Sequence, residues 1–380
     1  DAKSICDYKT FFKNIQPVDW IKYNFNGLES GRKSVLIVTP DLGYHGGSLA
    51  ATYAGMALMN LGMQVVIVAP TCNQLFIEEM SEKRISFAMI PEFMLLDMQR
   101  YSELGEFDYY LFNTVIMADL ACMFAKKRKV ILWLHESPQE YDCRLERLEP
   151  LIREWSENIL VCPVSEVAAR VWKHYMQIDV AQILEYAIPD EMIEHKNVLG
   201  QRLRLCVVGS FVREKGQDLV LEALDFLDEE EQKMLLVSFV GKEIQNAYYA
   251  GIRERVKKYP AVSVYGEKDR HSLLDMISCQ DIIVVSSRYE TMSLVATEAM
   301  MMGKVCIISD GAGMAKYVDD LHNGLVFSNG SAVELAEKLK WCLANRSKLE
   351  LMGKEARETY LSNFTIARLA VRLKEVLNNL

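Results

Sequence analysis

The sequence lacks an apolar run long enough to cross a bilayer, lacks an excess of positive charge and shows no short-period repeat. Its formal net charge of −9 argues against broad nucleic-acid binding, which depends on a basic face. Half of the residues are apolar and a quarter are charged, which is typical of a globular protein with a large core. With 380 residues the chain is too long for one ordinary domain and suits two.

Paired cysteine spacings are also missing, although the chain has nine cysteines. Many of them lie inside apolar strand or helix patterns, which favours buried free thiols in a reducing cytosol. We therefore expect a cytoplasmic protein with reduced cysteines. They are Cys6, Cys72, Cys122, Cys143, Cys162, Cys206, Cys279, Cys306 and Cys342.

Short β-branched apolar runs alternate with longer helical patterns, which predicts parallel sheets covered by helices. In the first half, strands are predicted at 34–39, 64–69, 109–112, 130–135, 159–164 and 182–186. In the second half, they are predicted at 203–208, 234–240, 261–265, 282–285 and 305–308. Helices are predicted at 48–61, where Gly62 follows as a stop, and throughout 347–380.

The alternation breaks around Ile188-Pro189-Asp190 and restarts after a polar stretch that runs to Arg202. We therefore predict an α/β fold of two doubly wound, Rossmann-like domains. The first covers residues 1–188, the second covers 200–364, and they join near 187–200.

The first 30 residues are rich in aromatic side chains with lysines between them. We favour an N-terminal helix packed on the first domain. The alternative is an interfacial element that touches the inner face of a membrane near a lipid acceptor. The aromatic residues are Phe11, Phe12, Trp20, Tyr23 and Phe25.

Residues 209–216, G-S-F-V-R-E-K-G, directly follow a predicted strand and lead into a predicted helix. Gly209 allows a close turn, and free N–H groups at the start of a helix favour anions. Arg213 and Lys215 add positive charge, so a diphosphate would receive charge-assisted hydrogen bonds there. The simpler interpretation is a turn with solvated basic residues.

Two glutamates follow the predicted strand 282–285. Glu290 lies in the predicted loop after this strand, and Glu298 lies in the helix after the loop. Open α/β sheets bind ligands at the carboxyl ends of their strands, and carboxylates accept hydrogen bonds from sugar and ribose hydroxyls. Either glutamate alone could be an ordinary helix charge. Glu298, however, lies in an otherwise apolar helix and needs a partner.

Three further segments lie at predicted strand ends. The Gly311–Gly313 turn is either a close backbone approach to a ligand or a plain turn. In the first domain, residues 40–48 contain three glycines and precede a helix. His135-Glu136 ends a buried strand, where a histidine is as often structural as functional.

These residues together resemble family 4 glycosyltransferases of the GT-B fold. The family's phosphate motif, roughly G-R-[LF]-x-x-x-K-G, is matched by 209–216, and its motif S-x-x-E-x-F-G-L-x-x-x-E-A-M is matched in register by 287–300. Its G-x-P-V-I-x-S-D and N-G-x-L-V segments are similar to 303–310 and 323–327. The resemblance spans the second domain and is looser in the first.

The resemblance implies a retaining transferase that needs no metal, with two domains facing each other across a cleft and the C-terminal helix, 365–380, crossing back to the first domain. Arg213 and Lys215 would bind the donor diphosphate, and Glu298 would hold the ribose. Glu290 would contact the donor sugar beside the backbone N–H groups of Met292, Ser293 and Leu294.

By the same resemblance, Gly241, Gly266 and Glu267 would lie near the base. Gly47 would approach the phosphate or sugar from the first domain, and His135 would sit beside the sugar. Glu290 and His135 are the candidates for a catalytic role. The substrate would be a UDP- or GDP-linked sugar, with no further cofactor, and the acceptor a glycan, a lipid-linked molecule or a protein.

Three positions depart from the family pattern. Ser210 replaces the usual arginine, so either Arg213 acts in its place or phosphate binding is weaker, and Met292-Ser293 replaces Phe-Gly. The exit 311–316 lacks the usual Pro-Glu. These departures bear on donor specificity and leave both glutamates in place.

Three alternatives remain at this stage. A nucleotide-sugar epimerase of the same fold would convert its donor without an acceptor. A non-catalytic partner subunit of another transferase would bind no donor productively, which the two intact glutamates disfavour. A dehydrogenase is disfavoured because no G-x-G-x-x-G follows the first strand.

Overall fold

The computed structural model describes residues 21–90, 104–142, 144–193 and 200–380. The chain divides into two units: the first runs to Ala187 and includes Ile366–Leu380, and the second is Ile188–Thr365. Phe11, Phe12 and Trp20 of the aromatic N-terminal segment, and the cysteines at 6 and 143, lie outside the described residues. Among the described helices, none combines the length and apolar character needed to span a membrane.

The first unit contains a seven-stranded sheet in the order β1-β4-β3-β2-β5-β6-β7. All neighbours are parallel except β1, which is antiparallel to β4. The strands are β1 (Ile21–Tyr23), β2 (Ser34–Val38), β3 (Gln64–Ala69), β4 (Ser86–Met89), β5 (Tyr109–Asn113), β6 (Val130–Leu134) and β7 (Ile159–Pro163). The helices are α1 (Gly46–Asn60), α2 (Gln74–Glu82), α3 (Ala118–Ala125), α4 (Pro138–Asp142), α5 (Leu145–Glu154) and α6 (Glu166–Met176).

The second unit contains a six-stranded parallel sheet in the order β10-β9-β8-β11-β12-β13. Its strands are β8 (Leu203–Val208), β9 (Leu235–Val240), β10 (Val262–Tyr265), β11 (Ile282–Val285), β12 (Val305–Ser309) and β13 (Leu325–Phe327). Its helices are α7 (Gln217–Leu224), α8 (Glu229–Lys233), α9 (Asn246–Val256), α10 (Arg270–Ser278), α11 (Leu294–Met301), α12 (Ala332–Ala344) and α13 (Arg346–Asn363). The last helix, α14 (Ile366–Asn378), belongs to the first unit.

The central strands are apolar because helices cover both faces of each sheet. Every residue of β2, β6, β11 and β12 is buried, as expected for parallel sheets. α14 is amphipathic, and the buried Leu369, Leu373 and Val376 recur at helical spacing while it packs against α1. The predicted α/β class and the return of the C-terminal helix to the first unit are confirmed.

One predicted strand of the first unit is absent. Residues 182–186 form no strand, because only isolated bonds hold them beside β7: the Leu184 N–H donates to the Pro163 carbonyl at 2.9 Å, and the Trp133 indole N–H donates to the Leu184 carbonyl at 2.7 Å. The stretch 347–380 is helical for most of its length, as predicted, and consists of α13 and α14. It breaks at Phe364, whose carbonyl accepts from the Ile188 N–H at 3.0 Å.

Short strands were missed for a different reason. β1 and β13 have three residues each, too few for an alternating pattern to show, and the four-residue β4 was missed as well. β1 also lies in the segment for which we favoured a helix, and there it is an edge strand.

The cysteines in the described part are free thiols. Five are buried, and burial raises the pKa of each of these thiols to about 12. Cys72 is half-buried and Cys279 is exposed, so the expected burial holds for most but not all of the described cysteines.

Candidate functional site

Two motif loops of the second unit lie side by side. The β8 loop (residues 209–216) follows β8 and the β11 loop (residues 286–293) follows β11, and these strands are neighbours at the point where the strand order reverses. Such a switch point is where open α/β sheets form their ligand sites. Backbone and side-chain bonds join the loops, since the Arg288 N–H donates to Glu214 O at 2.7 Å and Ser286 Oγ donates to Lys215 O at 3.0 Å.

The β8 loop leads into a helix, as predicted. Arg213–Lys215 form a single 3-10 turn within the loop, and α7 begins at Gln217, directly after it. Between them Gly216 has a φ of +68°, and a Cβ on it would lie 2.1 Å from the Ser286 carbonyl oxygen. Glycine is therefore required where the two loops meet. The buried Gln217 side chain also donates to Gly209 O at 3.2 Å and to Ser210 O at 3.0 Å, which fixes the first half of the loop.

The basic residue of the β8 loop and the first glutamate of the β11 loop form an ion pair. Lys215 Nζ donates to Glu290 Oε2, and both side chains are partly exposed. Arg213 is exposed, and its N–H bonds Gln245 Oε1 at 3.3 Å. A cationic and an anionic group predicted to touch one ligand thus meet at the same point of the sheet edge.

Glu298 has the partner that its apolar helix required. Its Oε1 accepts from Arg270 Nη1 at 2.7 Å, and Arg270 Nη2 donates to Glu191 Oε2 at 2.9 Å. The Glu298 side chain is 3% exposed and that of Arg270 11%. Burial raises the pKa of Glu298, and Arg270 opposes that shift by its charge and hydrogen bond.

α11 begins at Leu294, directly after the β11 loop. Ser293 caps it, with its side chain accepting from the Ala296 N–H at 3.3 Å, and Met292 is buried. The serine that departs from the family pattern is therefore a helix cap.

The remaining predicted positions of this unit follow neighbouring strands. Gly241 follows β9, and Gly266 and Glu267 follow β10. A Cβ on Gly241 would lie 2.0 Å from the Gly209 carbonyl oxygen, so the start of the β8 loop packs directly on it. At the end of β12, the Gly313 N–H donates to Glu290 O at 2.9 Å, so the Gly311–Gly313 turn supports the β11 loop.

Sequence reasoning missed a charged network beneath the two loops. Arg288 makes a bidentate pair with Asp218 at 2.7 and 2.9 Å and also donates to Arg213 O at 2.8 Å. Tyr248 donates to Asp218 Oδ1 at 2.8 Å. Burial alone would raise the pKa of Asp218, but the hydrogen bonds from Arg288 and Tyr248 hold it below its usual value. The network ties α7 to the β11 loop.

We expect this network to be strongly coupled. Arg288→Ala should lower the free energy of unfolding by about 1–3 kcal/mol, because Asp218 keeps its charge and loses its bidentate partner. Arg288→Ala combined with Asp218→Ala should cost less than the sum of the single changes in a urea-denaturation cycle. Arg253→Ala, at an exposed arginine of α9, is the control. Strict additivity would show that the pair contributes nothing.

In the first unit, the predicted positions also gather at a reversal of strand order, between β2 and β5. Gly47 is the second residue of α1, and its carbonyl accepts from Asn113 Nδ2, at the end of β5, at 3.0 Å. His135 follows the neighbouring β6, with its ring 4.6 Å from that of Trp133. Glu136 is buried and its Oε2 accepts from the His135 N–H at 2.9 Å. Gly47 and His135 thus lie on adjacent parts of one sheet edge.

The two titratable groups here have opposite shifts. Burial lowers the pKa of His135 to about 3. Burial raises the pKa of Glu136 to about 7, against the backbone N–H groups that favour its ionised form. At neutral pH His135 is therefore uncharged, and as a proton acceptor it would be weak.

The shift of His135 predicts a pH-dependent stability. Between its unfolded pKa of about 6.5 and its folded value of about 3 the unfolded chain binds more protons, so its contribution falls as the pH is lowered. Glu136 acts oppositely, with stability falling as the pH rises from about 4.5 to about 7. His135→Phe should remove on the order of 1–2 kcal/mol of the loss between pH 7.5 and pH 5. The measurement is urea denaturation at both pH values, with His174→Phe, on the exposed side of α6, as control. An unchanged pH dependence of stability in His135→Phe would contradict the predicted contribution of His135.

A second missed cluster precedes α1. The His45 ring nitrogen Nε2 lies 2.7 Å from Asp41 Oδ2 and 3.0 Å from Ser48 Oγ, and Ser48 Oγ donates to Asp41 Oδ1 at 2.7 Å. Burial alone would raise the pKa of Asp41, but the hydrogen bonds from His45 and Ser48 lower it. These contacts order the glycine-rich segment that ends at Gly47.

Comparison with known proteins agrees with this geometry. Residues 190–359 match the family model described as glycosyl transferases group 1. An uncharacterized glycosyltransferase of Methanocaldococcus jannaschii is 25% identical over 151 residues, covering 40% of this chain and 41% of that protein. A glycogen synthase of Erwinia tasmaniensis is 29% identical over 114 residues, covering 30% of this chain and 23% of that protein. The chain thus aligns with less than half the length of these relatives.

Solved structures cover nearly the whole chain. The Anabaena HepE protein in complex with UDP and glucose is 14% identical with a TM-score of 0.76, over 92% of this chain and 100% of that one. Sucrose-phosphate synthase from Thermosynechococcus elongatus is 16% identical with a TM-score of 0.74, over 92% and 99%. At such identities the likeness shows the fold. Within the second unit, residues 190–359 are therefore similar to the glycosyl transferases group 1 domain, and the two Rossmann-like units have the fold of the GT-B glycosyltransferases.

Proposed function

We propose that this protein transfers a sugar from a nucleotide-diphosphate-sugar donor to an acceptor hydroxyl, with retention of anomeric configuration and without a metal, as family 4 enzymes do. One observation carries the proposal. The β8 and β11 loops meet at the switch point of the second sheet, and Lys215 and Glu290 contact each other there.

The donor's parts can be assigned along this edge. Arg213 and Lys215 take the diphosphate, and Glu290 takes the sugar with the N–H groups of Met292, Ser293 and Leu294. Glu298, in α11 directly after the β11 loop, takes the ribose. Gly241, Gly266 and Glu267, after β9 and β10, lie towards the base. The order of the strands supports this assignment, because it sets these positions in a row along one edge.

The chemistry requires charge stabilisation more than proton transfer. The bond between the anomeric carbon and the departing phosphate oxygen breaks, and the acceptor oxygen bonds to that carbon. The acceptor's proton passes to the departing phosphate oxygen. Lys215 and Arg213 stabilise the charge that develops on the diphosphate, which is the part that a metal plays in other transferases.

The ion pair prepares the site for this task. Glu290 balances the charge of Lys215. A diphosphate attracts Lys215 more strongly than one carboxylate does, which frees Glu290 to accept hydrogen bonds from the sugar. A nucleotide sugar as donor is supported by the HepE structures, one with UDP and glucose and one with UDP-glucose. The acceptor would be a glycan, a lipid-linked molecule or a protein.

The test is turnover of a panel of UDP-, GDP- and ADP-sugars by the purified protein, with released nucleotide and sugar identity both followed. Release from one donor that is lost in Lys215→Ala and Glu298→Ala supports a transferase and names the donor. Conversion of the sugar without release identifies an epimerase instead. Absence of both activities and of nucleotide binding would refute the enzyme proposal and leave a non-catalytic partner subunit.

A further inference from the structure

Arg270 holds two carboxylates and is itself almost enclosed. It is the first residue of α10, and its side chain is 11% exposed. Its two terminal nitrogens are used separately, Nη1 at 2.7 Å from Glu298 Oε1 and Nη2 at 2.9 Å from Glu191 Oε2. A guanidinium is planar and rigid, so two such bonds fix both its position and its orientation.

The two carboxylate oxygens of Glu298 differ in their hydrogen bonding. Oε1 is taken by Arg270. Within the described ranges, no hydrogen bond reaches Oε2. Oε2 is therefore the oxygen of this carboxylate that remains to accept a hydrogen bond from a ligand. The site lies next to the β11 loop, since α11 starts where that loop ends.

Glu191, which accepts from Arg270 Nη2, is itself fixed by contacts with α11. It is the fourth residue after the boundary between the two units, and its N–H contacts Met301 Sδ at 3.2 Å, at the end of α11. The next acidic residue towards the boundary, Asp190, pairs with Arg357 at 2.9 Å, and Arg357 also donates to Met301 O at the end of α11. The segment that carries Glu191 is therefore anchored on α11 independently of Arg270.

We propose that Arg270 is a positioning residue for the ribose of the donor, which fixes Glu298 so that Oε2 accepts a hydrogen bond from the ribose diol. This inference rests on the proposed function, in which Glu298 holds the ribose. Its particular consequence is discrimination. A 2′-deoxyribose loses a hydroxyl that an oriented carboxylate would bind, and a loosely held carboxylate would distinguish the two sugars poorly.

The experiment measures binding of UDP, GDP and their 2′-deoxy forms by calorimetry, to the wild-type protein and to Arg270→Gln. Wild-type protein should bind the ribose form of its preferred nucleotide at least about 10-fold more tightly than the deoxy form. Arg270→Gln should weaken binding of the ribose form by about 10-fold and bring the ratio close to one. Arg270→Lys keeps the charge but offers no fixed fork, so its ratio should lie between the two.

Two further variants keep the test decisive. Arg270→Gln leaves two carboxylates close together, so the double variant with Glu191→Gln relieves that repulsion and should fold while still lacking discrimination. Arg253→Ala, at an exposed arginine, should leave affinity and ratio unchanged. If Arg270→Gln folds and keeps both the wild-type affinity and the wild-type preference for ribose over deoxyribose, Arg270 does not position Glu298. Wild-type binding without preference for ribose would also overturn this role of Arg270 and leave the proposed function intact. Absence of any nucleotide binding would refute both.

Discussion

Replacing Lys215 with alanine is expected to reduce donor turnover by about 100-fold to 1000-fold, the largest effect predicted for a single side chain. Removal of a preorganised group that stabilises charge in the transition state has costs of this order. The loss should appear mainly in kcat, because the negative charge on the diphosphate grows as the bond to the sugar breaks. Initial rates of nucleotide release at saturating donor measure it.

Lys233 offers a matched control for this change. It is an exposed lysine of α8 that pairs with Glu230 at 2.7 Å, in the same unit but away from the two motif loops. Lys233→Ala should retain full turnover. Equal rates in Lys215→Ala and the wild-type protein would show that the leaving diphosphate does not depend on this lysine.

The Gly216→Ala change is expected to have the largest effect on stability, about 2–4 kcal/mol. An alanine there must adopt a left-handed conformation, with φ near +68°, and its Cβ would lie 2.1 Å from the Ser286 carbonyl oxygen. Backbone cannot move away as a flexible side chain could, so the β8 and β11 loops must separate. Turnover should therefore fall together with the midpoint of urea denaturation.

Gly251 shows what the same change does without these constraints. It lies on the exposed side of α9, and a Cβ added there would meet no atom of another element within 4 Å. Gly251→Ala should raise the free energy of unfolding by about 0.5–1 kcal/mol, because alanine favours the helix. If Gly216→Ala proved as harmless as Gly251→Ala, the close packing of the two loops would be wrong.

Much of the fold could be predicted because its parallel strands are buried on both faces. Strands such as β3, β8 and β11 read as largely apolar runs, and their observed bounds match the predicted ones. Once the strands were placed, the rule that ligands bind at their carboxyl ends located the motif loops. The meeting of the β8 and β11 loops follows from strand order alone.

The groups that hold the site in place could not be predicted in this way. Arg270 and Glu298 are 28 positions apart, and Arg270 and Glu191 are 79 apart. No local pattern in the sequence links them, since the pairing exists only after the sheet has formed. The sequence signal for this network was limited to a single carboxylate in an apolar helix. That signal was correct about the need for a partner and gave no information about its identity.

Short and edge elements were missed for a related reason. β1 and β13 have three residues each, and hydrogen bonds to a neighbouring strand determine them rather than their own composition. Residues 182–186 have the composition of a strand and lie beside β7, but they make too few bonds for a ladder. Tertiary contacts outweighed local propensity in both cases.

The most direct test of the central claim is a crystal structure of the protein with its preferred nucleotide sugar bound. We expect the diphosphate within hydrogen-bonding distance of Lys215 and of the N–H groups of the β8 loop, the sugar at Glu290 and the ribose at Glu298. A donor bound elsewhere, or one bound here with the Lys215–Glu290 pair undisturbed, would contradict the proposed function.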